Sequence, residues 1–305
     1  MPTRKEVHID SALSNFAVEY RNGLFVAEQV LPVLPVVHES DKYFKFNREE
    51  LREQVTERAV GAPANEFVWG TTNDNYSAEE YSLRSLVADR VVRNSDAPIA
   101  PKMRTTKKLM NLIKLAMEKR VMNLVTGGSL TKTNPSPKWD GTSPLIESDI
   151  DTAKQWISLN SGVIPNSLLM NTEVKDVFKK DSTIRNLIRY TIQGSAGQEL
   201  LVNGELPPII FNLRPVIAEA AENTAKEGAS ASYSRIWPDD VLIWFAEPAP
   251  GIESLSLGYM FRVLNWFVKT YRVEERDGEM IQPSVIQDEK LVATEAGYLL
   301  DNVLT

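Results

Sequence analysis

The sequence predicts an α+β fold, and three features carry that expectation. Residues 101–125 read as one uninterrupted helix, with Pro101 suited to a first turn and Gly127-Gly128 closing the end. Short apolar runs at 165–171, 209–211 and 241–245 alternate with helical stretches, which predicts a compact α/β body over 151–261. Asp277-Gly278, a strong turn signal, joins two alternating stretches, 267–275 and 279–287, into a long β hairpin.

Residues 1–39 hold a short amphipathic piece, 15–30, and the proline-spaced run 30–37, which suits extended backbone. Neither can close a core, so the segment predicts an arm that lies on something else. In 41–60, ten of twenty residues are charged, five of each sign, and little apolar surface is offered for burial. Tyr43-Phe44-Lys45-Phe46 alternates as a strand before this window. Phe67-Val-Trp69 and 76–92 resume that character after it, interrupted by the turn-prone 70–75. Residues 40–92 therefore predict a long hairpin reaching out from the body. Aromatic residues such as Phe44, Trp69 and Tyr76 would be wasted on a free loop. Arg48, Glu49, Glu50, Arg52, Glu53, Glu57, Arg58 and Trp69 are thus candidate contacts to a neighbouring copy of the chain.

The helix 101–125 spans roughly 36 Å at 1.5 Å per residue. On a 3.6-residue wheel Leu109, Leu112, Ile113, Ala116, Met117 and Leu124 share a predicted core face. Lys107, Lys108, Asn111, Lys114 and Glu118 fall on the predicted wet face. The helix is markedly basic, with Glu118 its lone acid, and pairing with the acidic carboxy-terminal hairpin is the simplest use of that charge. Phosphate or an acidic scaffold is the alternative. After the surface connection 129–143 come a helix at 149–159, a buried strand at 165–171 and helices at 173–180 and 183–191, the first capped by Thr172. Strands at 209–211 and 241–245 flank a small-residue exposed loop at 225–232.

Composition narrows the chemistry. The 305-residue chain is 43% hydrophobic and 25% charged, ordinary globular material. No apolar run or amino-terminal block predicts a membrane span or a signal peptide. With no cysteine, disulfides, thiol nucleophiles and zinc–cysteine or iron–sulfur sites are excluded. The two histidines, His8 and His38, have no acidic partner at triad or metal-ligand spacing. A net charge of −7 argues against a protein whose main task is gripping nucleic acid. The segment 126–133 follows a helix and lacks the second glycine of a phosphate loop, and 194–197 is not a nucleophile elbow. The acidic pairs Asp149/Asp151 and Asp239/Asp240 read as helix capping and as a turn before a strand. The expectation is no enzyme, no cofactor and no metal.

The order of segments resembles the major capsid proteins of tailed phages, the Hong Kong 97 type of shell protein shared with encapsulin compartments. The phrases that carry it run along the chain: Phe16-Ala-Val-Glu-Tyr-Arg-Asn22 with Leu31-Pro-Val33, Asp41-Lys-Tyr-Phe-Lys-Phe46, and Asn94-Ser-Asp-Ala-Pro98. Asn223-Thr-Ala-Lys-Glu-Gly228 with Ile236-Trp237, Leu257-Gly-Tyr-Met-Phe261, and Asp288-Glu-Lys-Leu-Val292 with Ala296-Gly-Tyr298 complete it. The resemblance implies an amino-terminal arm (1–39) and an extended loop (40–92) lying across a neighbour. It also implies a peripheral domain (93–150 and 262–292, with spine helix 101–125) and an axial domain (151–261 and 293–305). The implied role is self-assembly, through pentamers and hexamers, into an icosahedral phage head. That head encloses double-stranded DNA, which lies nearby without specific binding, and it is assembled in the host cytoplasm. A separate scaffolding protein, a portal and a decoration protein are the implied partners. An encapsulin-like compartment and a soluble α/β hydrolase are the alternatives.

Overall fold

The computed structural model describes residues 8–19, 23–45, 53, 56–58, 61, 63–65, 72–95, 99–191, 205–251 and 254–305. Along the chain run β1 (His8–Ile9), α1 (Ser11–Glu19), α2 (Ala27–Val30), β2 (Val33–Pro35), β3 (Ser40–Lys45), β4 (Thr72–Ser77), β5 (Glu79–Ser82), β6 (Ser85–Ala88), α3 (Asp89–Arg93) and α4 (Ile99–Thr126). There follow β7 (Thr131–Thr133), α5 (Ile146–Ser161), β8 (Ser167–Asn171), α6 (Thr172–Phe178), α7 (Ser182–Thr191), β9 (Arg214–Ala218), β10 (Ala221–Asn223) and β11 (Tyr233–Arg235). Four strands finish it: β12 (Val241–Trp244), β13 (Gly258–Val273), β14 (Gly278–Leu291) and β15 (Gly297–Leu300).

Helix α4 is 28 residues long and stops at the glycine pair. A Cβ on Gly127 would sit 2.6 Å from the Asn123 carbonyl oxygen, and Gly128 takes φ +92°, a left-handed turn open to glycine. The helix spans two cores. Its first half contributes Met110 and Ile113 to a cluster with Leu13 and Ala17 of α1 and Trp266, Val268, Ile281 and Val285 of the long hairpin. Its second half contributes Met117, Val121 and Val125 to a cluster with the five-stranded sheet. The buried stripe is therefore rotated from the predicted face. Leu112 is 53% exposed and Ala116 is exposed, whereas Lys114 and Glu118, expected in water, are buried. Apolar residues ring this helix, so the wheel left its orientation open and tertiary partners decided it.

The five-stranded sheet has the order β7-β15-β12-β8-β9, and its three inner strands are buried on both faces. Side chains alternate strictly, as the two-residue period of a strand requires. Leu168, Met170, Val241, Ile243, Tyr298 and Leu300 face α5, α6 and α7. Leu169, Leu242, Trp244 and Leu299 face the other way, onto α4 and the arm residues Val26, Ala27, Val30 and Leu31. The arm is thus part of the core, not a strap over it.

The long hairpin β13–β14 is the spine of the second sheet, turning through Asp277 at φ +43° with Gly278 beside it. β1 and β2 flank β13, β2 running parallel to it, while β5 and β6 pair with β14. This divides the expected 40–92 unit. β3 and β4 form the projecting hairpin, but 79–88 belong to the edge of the second sheet.

Other expectations are corrected locally. Residues 72–75 are strand, paired with 42–45, because a full ladder outweighs their turn propensity. Residues 209–211 are not a strand: Phe211 and Asn212 take φ +52° and +63° in a tight reversal bridged by Ile210 and Leu213, and the strand begins at Arg214. Asn171, not Thr172, caps α6, its Oδ1 accepting the Val174 N–H at 2.8 Å. The amphipathic piece expected at 15–30 is two helices, α1 and α2.

Gly258 marks the junction of arm and hairpin, where an added Cβ would lie 2.3 Å from the Lys290 carbonyl oxygen and 2.8 Å from Leu31 Cδ2. Substitution Gly258→Ala is expected to destabilise the chain by about 1–3 kcal/mol through overpacking, measured as a lower urea midpoint at unchanged slope.

Candidate assembly surfaces

At the waist of α4 a buried carboxylate ties three distant segments together. Glu118 is fully buried, and its Oε2 accepts the Ala27 N–H at 2.8 Å. The Val26 N–H reaches both carboxylate oxygens at 3.1 Å, and Trp237 Nε1–H donates to Oε1 at 2.6 Å. Val26 and Ala27 open α2, so their amides have no partner within that helix and a carboxylate satisfies them well. Burial nevertheless pushes the Glu118 carboxyl above the ordinary range, against the pull of its three donors. One turn earlier, the Lys114 ammonium lies 5.6 Å from the Trp266 ring centroid.

A polar relay runs beside this node. Arg262 Nη2 donates to Glu28 Oε1 at 2.8 Å and its Nε to Gln287 Oε1 at 3.1 Å. Gln287 Nε2 donates to Glu289 Oε1 at 2.8 Å. Arg120 grips the same Glu289 with two donors, at 2.7 and 3.2 Å, and stacks its guanidinium 3.7 Å from the Tyr81 ring centroid. The relay therefore joins α2, both strands of the long hairpin, α4 and β5. The basic helix does pair with the acidic hairpin, as its charge implied: Arg120 with Glu289 and Lys102 with Glu279.

The projecting hairpin is rooted in aromatic packing. Tyr76 stacks on Phe261 at 4.6 Å with rings 7° from parallel, and Tyr43 lies 5.2 Å from the same ring. Tyr76 donates its hydroxyl to the His38 carbonyl at 3.0 Å, and the Asp288 carboxylate accepts the Ser77 N–H at 2.9 Å. Burial, with the Asp74 carboxylate nearby, pushes the Tyr43 hydroxyl up to about 12. Beyond this root, Glu53, Glu57 and Arg58 are exposed. Arg48, Glu49, Glu50, Arg52 and Trp69 lie outside the described residues.

The acidic pairs are used internally. Asp149 accepts Trp139 Nε1–H at 2.9 Å instead of capping α5, Asp239 accepts from Asn171 Nδ2 at 2.7 Å, and Asp240 from the Asn302 N–H at 2.7 Å. Among the described residues no group of three or more His, Asp or Glu is arranged for a metal ion, and no helix is long and apolar enough to cross a membrane. Sequence reasoning missed Glu118, Trp237, Arg262 and Glu289. The available signal was Glu118 itself, a lone acid between Met117 and Val121 on a cationic helix.

No family model matches the chain. It is 23% identical over 308 residues to the major capsid protein of Burkholderia phage BcepMu, covering 97% of this chain and 96% of that one. To the major capsid protein of Pseudomonas phage JBD67 it is 24% identical over 312 residues, covering 97% of each. Among solved structures, a phage-related protein of Bordetella bronchiseptica RB50 superposes with a TM-score of 0.73 at 21% identity, covering 97% of both chains. The capsid of cyanophage P-SCSP1u superposes with a TM-score of 0.61 at 9% identity, covering 90% of this chain and 87% of that one.

Removal of the Glu118 carboxylate should free the arm before it unfolds the body. Glu118→Ala is expected to cost about 3 kcal/mol, at roughly 1 kcal/mol for each of three orphaned buried donors. It should also accelerate hydrogen exchange at the Val26 and Ala27 amides and shift Trp237 fluorescence. The pH dependence has a definite sign. Because the folded-state carboxyl titrates above its unfolded value, the folded state holds the proton longer, so stability falls as pH rises through the window just above the ordinary carboxylate range. Urea titrations across that window should show the slope in the native chain and its loss in Glu118→Gln.

Proposed function

We propose that this chain, which has the Hong Kong 97-type capsid fold, is a major capsid subunit that self-assembles into the icosahedral head of a tailed phage. The observation that carries the reading is the combination of end-to-end similarity to two phage capsid proteins with limbs rooted on the trunk by buried bonds. Such a subunit must make several different contacts at once. Extended segments that bury area on neighbours supply them, and closure of the shell makes many weak contacts strong together. The role is structural and calls for no cofactor.

Within this reading the arm (1–39), the extended loop (40–92, with its projecting part ending at β4), the peripheral domain (93–150 and 262–292) and the axial domain (151–261 and 293–305) are working units of one subunit. The charged loop residues, among them Glu53, Glu57 and Arg58, make contacts to the next copy. Packaged double-stranded DNA lies against the shell without specific binding, the acidic chain leaving it free to slide. A separate scaffolding protein, a portal and a decoration protein are the expected partners, and assembly takes place in the host cytoplasm. The capsid reading is preferred to a compartment or a hydrolase because both sequence relatives are named for phage capsids.

Electron microscopy of the purified protein is the direct test: closed shells or capsomers are expected, and a monodisperse monomer at high concentration overturns the proposal. Deletion of residues 48–58 should leave the circular dichroism and melting of the body unchanged while abolishing large particles. Normal shells from that deletion would remove the extended loop from the assembly contacts.

A further inference from the structure

The exposed side of α4 carries a pattern that the fold leaves unused. Most cations of this helix are engaged: Lys102 with Glu279, Lys114 over Trp266, Lys119 with Glu222 at 2.7 Å and Arg120 with Glu289. Arg104 and Lys108, one turn apart, instead project into solvent and make no ion pair among the described residues. The next two positions on the same i+4 row are Leu112, 53% exposed, and the exposed Ala116. Two cations, a leucine and a small residue thus form one ridge of about 18 Å, twelve residues at 1.5 Å each.

Rows at i+4 spacing are the ridges that interlock when two helices pack, and a small residue lets the backbones approach. We infer that this ridge is a docking surface for an acidic amphipathic helix of a separate protein, with carboxylates on Arg104 and Lys108 and an apolar side chain closing over Leu112 beside Ala116. Other occupants fit less well. A DNA duplex offers nothing apolar to Leu112, and two cations fall far short of the roughly 6–10 phosphate contacts of a salt-sensitive DNA grip. A second copy laid parallel on the same ridge would set cation against cation, and an antiparallel one would press Arg104 and Lys108 onto Ala116 and Leu112 with no carboxylate to meet them. The area is also small. A three-turn contact lies well under the roughly 1,200 Å² of a stable interface, so each copy holds its partner weakly and releasably. Resting on the shell reading, repetition over many subunits raises the total strength by avidity while leaving every single contact easy to break, which suits a guide needed only during assembly.

The test uses the full chain and a labelled synthetic 21-residue helix with glutamates in its first two turns and leucines on one face of the next two. Fluorescence anisotropy at low salt should show saturable binding to the native chain. R104E/K108E and L112D should each weaken it by about tenfold or more, and a lysine-for-glutamate version of the peptide should prefer R104E/K108E over the native chain. Circular dichroism and thermal melting confirm that these surface variants fold. The proposal is overturned if the acidic peptide fails to bind, binds native and reversed chains equally, or is displaced equally well by a 20-base-pair duplex. It is also overturned if L112D alone, without peptide, alters subunit association, which would assign the ridge to a second copy. Microscopy of the native protein without peptide reports on shell formation separately, so failure of the docking surface and failure of the capsid reading remain distinguishable.

Discussion

A charge held out of water in the middle of a long helix constrains everything around it. The Glu118 carboxylate has exchanged bulk solvent for two amides of α2 and one indole, and any displacement of the arm or of Trp237 strands it. A hydrophobic patch at the same place would tolerate slippage, since apolar contact is non-directional. Hydrogen bonds to a buried carboxylate fix position to within a fraction of an ångström. With Val26 and Ala27 placed, the chain reaches β2 in register with β13, and β2 delivers it to the root of the projecting hairpin.

The two cores are different in kind, and α4 is what they share. The five-stranded sheet is covered on both faces and relies on alternating aliphatic side chains. The second sheet is long and narrow, flanked by short strands, and adds charged pairs with α4 and β5 to an apolar cluster shared with α1 and α4. An Arg–Glu pair such as Arg120–Glu289 adds less net stability than an apolar contact of equal size, yet it specifies orientation through its paired donors. A subunit that must fit several neighbours benefits from a stiff body and limbs whose angle is set by directional bonds.

Much of this was legible in the residues. Gly127-Gly128 and Asp277-Gly278 announced a helix end and a hairpin turn, with Gly128 and Asp277 taking the left-handed angles of the two reversals, and the apolar run at 241–245 announced a buried strand. What stayed hidden has common physical causes. Pattern reading sends charged side chains to water, so the burial of Glu118 and Lys114 was invisible until their partners, roughly 90 to 150 positions away, were in place. Turn-prone residues at 72–75 were overruled by a ladder, and the apolar 209–211 by two left-handed residues. Of the charged loop positions nominated as contacts, Glu53, Glu57 and Arg58 are exposed, a placement that composition could suggest but no spacing could prove.

The strand order of the larger core carries an implication for timing. β15 lies between β12 and β7, so the place beside the central strand β12 stays vacant until translation has passed residue 300. Until then β12 has an open edge, and the faces of α4 and α5 that rest on Leu299 and Leu300 have nothing beneath them. A chain cut before β15 therefore cannot present finished surfaces on this side of the sheet. Seating a late strand inside the sheet, rather than at its rim, makes integrity of the whole fold depend on the residues that arrive last among these five strands.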